Sequence, residues 1–78
     1  MKKSRFSKSY IRLLEELRKA RKDAGFTQTA VAKHFGAHAS FVSKIESGER
    51  RVDVVELAEF CRLYRVKLAD FLEQAEIE

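Results

Sequence analysis

The sequence of 78 residues predicts an all-α fold, a five-helix bundle containing a helix-turn-helix, and three observations carry that expectation. Apolar residues recur at helical spacing along most of the chain, and no alternating stretch is long enough to argue a strand. Proline is absent, so no helix is broken from within. The three glycines, Gly25, Gly36 and Gly48, each fall where a left-handed residue would end a helix.

Taken in order, residues 1–8 are basic and without periodicity, and read as a flexible N-terminal arm carrying Lys2, Lys3, Arg5 and Lys8; residues 9–78 form the domain proper. A first helix is expected over about 9–24. Leu13, Leu17, Ala20 and Ala24 fall at i, i+4, i+7 and i+11, and Tyr10 and Leu14 widen that stripe. Thr27 is a good N-cap for a second helix over 28–35, whose Val31, Ala32 and Phe35 share one face. Ala32 is small where a crossing helix must come close. Gly36 then turns the chain into a third helix over about 39–47, with Val42 and Ile45 pointing inward. Its outward set is Ala39, Ser40, Ser43, Lys44 and Ser47, short or basic side chains that permit close approach to a base edge. Asp53 with Glu56 three residues on reads as a capping box opening a fourth helix over 54–64, with Val54, Leu57, Ala58 and Cys61 inward. Leu68, Phe71, Leu72 and Ala75 repeat the spacing on a last helix.

Charge is unevenly distributed. Residues 1–51 hold thirteen Lys and Arg against five Asp and Glu, a net of +8, whereas residues 52–78 hold three against seven, a net of −4. A polyanion facing the first two thirds of the chain suits this split, although a solvated and merely uneven surface would look the same. The longest apolar runs fall far short of a membrane span, and the basic N-terminus lacks the apolar core of a signal peptide, so a cytoplasmic protein is expected. A single cysteine, Cys61, cannot form an internal disulfide, which fits a reducing compartment.

Other chemistry finds little support. His34 and His38 stand four apart, but Gly36 interrupts them and no second cysteine or adjacent carboxylate completes a zinc site, so no metal is expected. No phosphate-binding glycine loop, nucleophile elbow or paired-carboxylate pocket occurs, and no cofactor or small-molecule ligand is evident. An enzyme is not expected.

The string Leu17-Arg18, Arg21, Gly25, Thr27-Gln28, Ala32, Gly36, Phe41-Val42-Ser43-Lys44-Ile45-Glu46, Gly48 and Arg50-Arg51 resembles the Cro and phage-repressor-like regulators of the XRE family, over about residues 13–72. The resemblance implies a helix-turn-helix domain that binds double-stranded DNA as a homodimer. It implies that Ala39, Ser40 and Lys44 read bases in the major groove, with His38 and Ser43 beside them. Gln28 would lie next to the DNA backbone, its amide nitrogen on a phosphate and its oxygen steadying a side chain of the third helix. Thr27, Phe41 and Ser47 flank the same backbone, and Arg50 and Arg51 in the following loop would meet phosphates. Arg21 and Glu46 match a pair that bridges the first helix to the end of the third, here assigned to folding. Ala39 departs from the longer polar residue common in relatives, which shifts base reading toward Lys44 and DNA shape.

The last two helices hold more apolar residues than one inward stripe needs. A dimer interface through Phe60, Leu63, Tyr64 and Ile77 would cover them, and two third helices would then meet successive major grooves of a near-palindromic operator. The expected function is transcriptional regulation, as a repressor or activator acting by position. The competing class is a protein-interaction module, such as an antitoxin, with weak or non-specific DNA binding.

Overall fold

Three of the five helices begin at a residue whose side chain takes up an amide that the first helical turn leaves unpaired. The computed structural model describes residues 7–77, with α1 at Lys8–Asp23, α2 at Gln28–His34, α3 at Ser40–Glu46, α4 at Val54–Tyr64 and α5 at Leu68–Gln74. Ser7 Oγ accepts from Tyr10 N at 3.1 Å and Thr27 Oγ1 from Ala30 N at 3.1 Å. Asp53 accepts from Glu56 N at 2.7 Å while Glu56 Oε1 accepts from Asp53 N at 3.1 Å, which completes the capping box. The Ser7 cap corrects the expected arm: residues 7 and 8 belong to the start of α1. The rest of that arm, residues 1–6 with Lys2, Lys3 and Arg5, lies outside the described residues, as does Glu78.

Each helix is followed by one residue with positive φ. Gly25, Gly36 and Gly48 serve α1, α2 and α3, as the spacing predicts, but Arg65 (φ 62°) and Glu76 (φ 60°) do the same for α4 and α5. Nothing in the sequence marks those two positions, because neither side chain favours the left-handed region.

Leu17, Val31, Val42, Ile45, Phe60 and Phe71 are the largest fully buried side chains, and they come from all five helices. Each such burial contributes roughly 1.5–3 kcal/mol. The rings of Phe35 and Phe60 lie 4.7 Å apart, Phe35 and Phe41 5.3 Å, and Phe60 and Tyr64 6.0 Å, so the residue that caps the end of α2 and aromatic residues of α3 and α4 meet in one cluster.

This cluster corrects the expected dimer set. Phe60 and Tyr64 are core residues of the single chain, 0% and 4% exposed, and only Leu63 and Ile77 of that set reach the surface in part. The inward stripe of α4 is Leu57, Phe60, Cys61 and Tyr64, at i, i+3, i+4 and i+7. Val54, expected inward, is 68% exposed and its neighbour Val55 75%, because no described element covers the first turn of α4. No helix among the described residues is long and apolar enough to cross a membrane.

Candidate nucleic-acid interface

Thr27 and Gly36 fix the geometry of α2 and α3 from the two ends of α2. Gly36 has φ 65°, with Gly36 N donating to Lys33 O at 3.0 Å and Ala37 N to Ala32 O at 2.9 Å. A Cβ added there would meet no atom within 4 Å, so the requirement for glycine is one of backbone conformation and not of space. Ala32, 1% exposed, lies on the buried face of α2, and Val42 and Ile45 bury the facing side of α3.

A charged clamp holds α3 from behind. Arg21 Nε donates to Glu46 Oε2 at 2.7 Å, Arg21 Nη2 to Glu46 Oε1 at 3.2 Å and Arg21 Nη1 to Phe26 O at 2.8 Å. Gln28 Nε2 donates to Glu46 Oε1 at 2.9 Å, and Arg18 Nε stands 3.7 Å from the same oxygen. The bond to Glu46 raises the Arg21 pKa above its already high value. One buried carboxylate thus joins α1, the start of α2 and the end of α3. Gln28 differs from expectation here: its amide nitrogen, not its oxygen, meets α3, since a carboxylate only accepts.

In front of this clamp lie the expected base-reading residues. His38, Ala39 and Lys44 are exposed, and Ser40 and Ser43 are half-buried on the same helix or its approach. Ala39 is the residue before α3 and carries no capping side chain, so the helix proper begins at Ser40. Ser47 and Thr27 are exposed at the end of α3 and the start of α2. Phe41, expected against the DNA backbone, is half-buried with its ring turned into the aromatic cluster, 6.2 Å from Phe60.

The loop after α3 is tied to the domain through its two arginines. Arg50 Nη2 and Nη1 reach Glu56 at 2.9 and 3.1 Å, Nη1 also donates to Arg51 O at 2.9 Å, and the guanidinium lies 5.0 Å from the Phe41 ring centre. Hydrogen bonding from Arg50 holds the Glu56 carboxyl below its usual range. Arg51 stacks on Tyr10, its guanidinium carbon 4.2 Å from the ring centre, and Tyr10 Oη accepts from Val52 N at 3.1 Å. On the far side of α2, His34 Nε2 meets Glu59 at 3.0 Å, where a nearby carboxylate was not expected. That bond is the main reason the Glu59 carboxyl sits below its usual range. Sequence reasoning missed these pairings. A capping-box glutamate six residues after an arginine was the one available signal, and it points to the helix start as readily as to the arginine.

A family model described as a helix-turn-helix domain matches residues 12–74. A solved structure described as an XRE-family like protein from Pseudomonas syringae pv. tomato str. DC3000 superposes with a TM-score of 0.80 at 43% identity, over 87% of this chain and 83% of that one. A search of curated proteins found no match.

Proposed function

The chain belongs to the XRE-like helix-turn-helix family, whose members are DNA-binding proteins and not enzymes, and from that premise we propose that it is a sequence-specific regulator of transcription acting in the cytoplasm. In this reading α3 enters the major groove, with Lys44 donating to an acceptor-rich base edge and Ser40 and Ser43 beside it. Thr27, Gln28, Ser47 and Arg51 lie toward the phosphates, and Arg50 contributes mainly by holding the loop. The carrying observation is the division of α3. Its inner face is buried and locked through Glu46, while Lys44 and Ser47 are exposed and Ser40 and Ser43 are half-buried on the other side. A helix held this rigidly presents its outer side chains at fixed positions, which base readout needs.

Binding as a homodimer is part of the same proposal. Two copies would place their α3 helices in major grooves about 34–36 Å apart. With Phe60 and Tyr64 inside the monomer, the apolar surface left for pairing among the described residues includes Leu63, Ile77 and the exposed Val54, Val55 and Ile11.

The test is selection of bound duplexes from a random library at about 150 mM salt, where non-specific binding is weak. A near-palindromic motif is the expected result. An unenriched pool would overturn sequence-specific binding and favour the protein-interaction class. A motif without internal symmetry, together with a monomeric mass in solution, would remove the dimer and leave the DNA reading in place.

A further inference from the structure

The polar groups of α3 are bonded to one another in a way that determines what each can offer to a base. Ser40 N donates to His38 Nδ1 at 3.2 Å. A backbone N–H only donates, so this bond requires Nδ1 to be the acceptor, which is the tautomer with the ring hydrogen on Nε2. Ser40 Oγ lies 3.0 Å from the same Nδ1. Of those two atoms only the hydroxyl carries a hydrogen, so Ser40 Oγ donates to His38. Ser43 Oγ donates to Ser40 O at 3.0 Å, and Ser47 Oγ to Lys44 O at 3.1 Å. All three hydroxyl hydrogens are committed inside the protein.

We infer that His38 sets the hydrogen-bond polarity of the α3 surface, so that Ser40 and Ser43 present acceptors only, while Lys44 Nζ and His38 Nε2–H present donors only. This rests on the proposed insertion of α3 into the major groove. There, donors are displayed by the exocyclic amino groups of adenine N6 and cytosine N4, and acceptors by guanine O6 and N7, adenine N7 and thymine O4. The two serines therefore select adenine or cytosine. Lys44 and His38 are matched by guanine O6 and N7, by adenine N7 or by thymine O4, and find no acceptor on cytosine. A serine is ordinarily ambivalent between the two classes, and here the imidazole removes the ambivalence of Ser40. His38 is in this sense a positioning residue for Ser40 as well as a donor in its own right. Its bond to Ser40 N also supplies the cap that Ala39 does not provide.

The experiment takes the motif selected by the unaltered protein and identifies the base pair whose preference Ser40→Ala abolishes. Adenine at that position is then replaced by purine, or cytosine by its analogue lacking the 4-amino group. Loss of the amino group is expected to weaken binding of the unaltered protein about tenfold and that of Ser40→Ala hardly at all. His38→Ala, with its fold verified by circular dichroism, releases the Ser40 hydroxyl hydrogen, and is expected to accept guanine or thymine at the same position with its preference under Lys44 unchanged. His38→Asn, whose side-chain oxygen can accept the same two hydrogens, is expected to restore the original preference. Guanine or thymine preferred under Ser40 by the unaltered protein, or a preference unmoved by His38→Ala, would overturn the inference while leaving DNA recognition intact. Failure to select any motif would instead remove the reading on which it rests.

Discussion

Arg21 on α1 and Glu46 on α3 meet at 2.7 Å with side chains 9% and 1% exposed, and this pair ties α3 to the body of the domain. Glu46 receives hydrogens from Arg21 and from Gln28, so the buried carboxylate is satisfied on both oxygens. Removing the arginine leaves that charge buried without its main partner. Arg21→Ala is expected to destabilise the domain by about 3–5 kcal/mol in urea titration. Replacing both partners together by methionine and leucine should recover most of that loss. A single-variant cost below about 1 kcal/mol would mean that the pair does not hold α3.

Arg50 and Arg51 are adjacent but differently engaged. Arg50 gives both terminal nitrogens to Glu56, whereas Arg51 lies on the Tyr10 ring with no carboxylate bound to it among the described residues. On the proposed DNA reading, Arg51→Ala is expected to flatten the salt dependence of binding by about one unit. Arg50→Ala should flatten it by clearly less. Equal slopes for the two variants would contradict this division.

The same Glu56 makes a pH prediction. Its pKa is lowered in the folded chain by Arg50, so the stabilisation is present above the usual carboxylate range and is lost as pH falls through the folded value. The pair is partly exposed, 44% and 21%, which limits its contribution to under about 1 kcal/mol. Glu56→Gln keeps a capping side chain and should lose less stability than the unaltered protein on acidification. Parallel melting curves across that range would argue against it.

Arg65 ends α4 with φ 62°, a conformation that costs an ordinary residue about 1–2 kcal/mol. Its N–H donates to Arg62 O at 3.2 Å and that of Val66 to Cys61 O at 2.9 Å, both of which glycine would preserve. Arg65→Gly is expected to raise stability by about 0.5–1 kcal/mol, seen as a higher Tm, with part of the gain offset by the freer unfolded chain. An unchanged or lower Tm would show that the arginine side chain compensates for its backbone.

Cys61 is 2% exposed, and burial pushes its thiol up from 9.0 to about 11. Because the folded value is the higher one, the stabilisation is complete below pH 9 and is lost as pH rises toward about 11. Over that interval the unaltered protein should lose more stability than Cys61→Ala. A thiol reagent should label native protein only at the rate of its opening. Immediate stoichiometric labelling would contradict both expectations.

The sequence by itself determined the five helices, their capping residues Thr27 and Asp53, the turn at Gly36 and the inward placement of Val42 and Ile45. Each of these follows from chemistry within a few residues: an amide to be capped, a left-handed φ, a period of 3.6. Family resemblance added the Arg21–Glu46 pair, across 25 positions of chain. The tertiary structure alone decided that Phe60 and Tyr64 lie in the core while Val54 faces outward, that Arg50 belongs to Glu56, and that His38 captures the Ser40 hydrogens. Periodicity gives the angle of a side chain about its own helix axis. It does not say which angle another helix will cover. Nor does it say which of several acceptors a long or rotatable polar side chain will reach, since that depends on how the helices cross and on where the turns bring their ends.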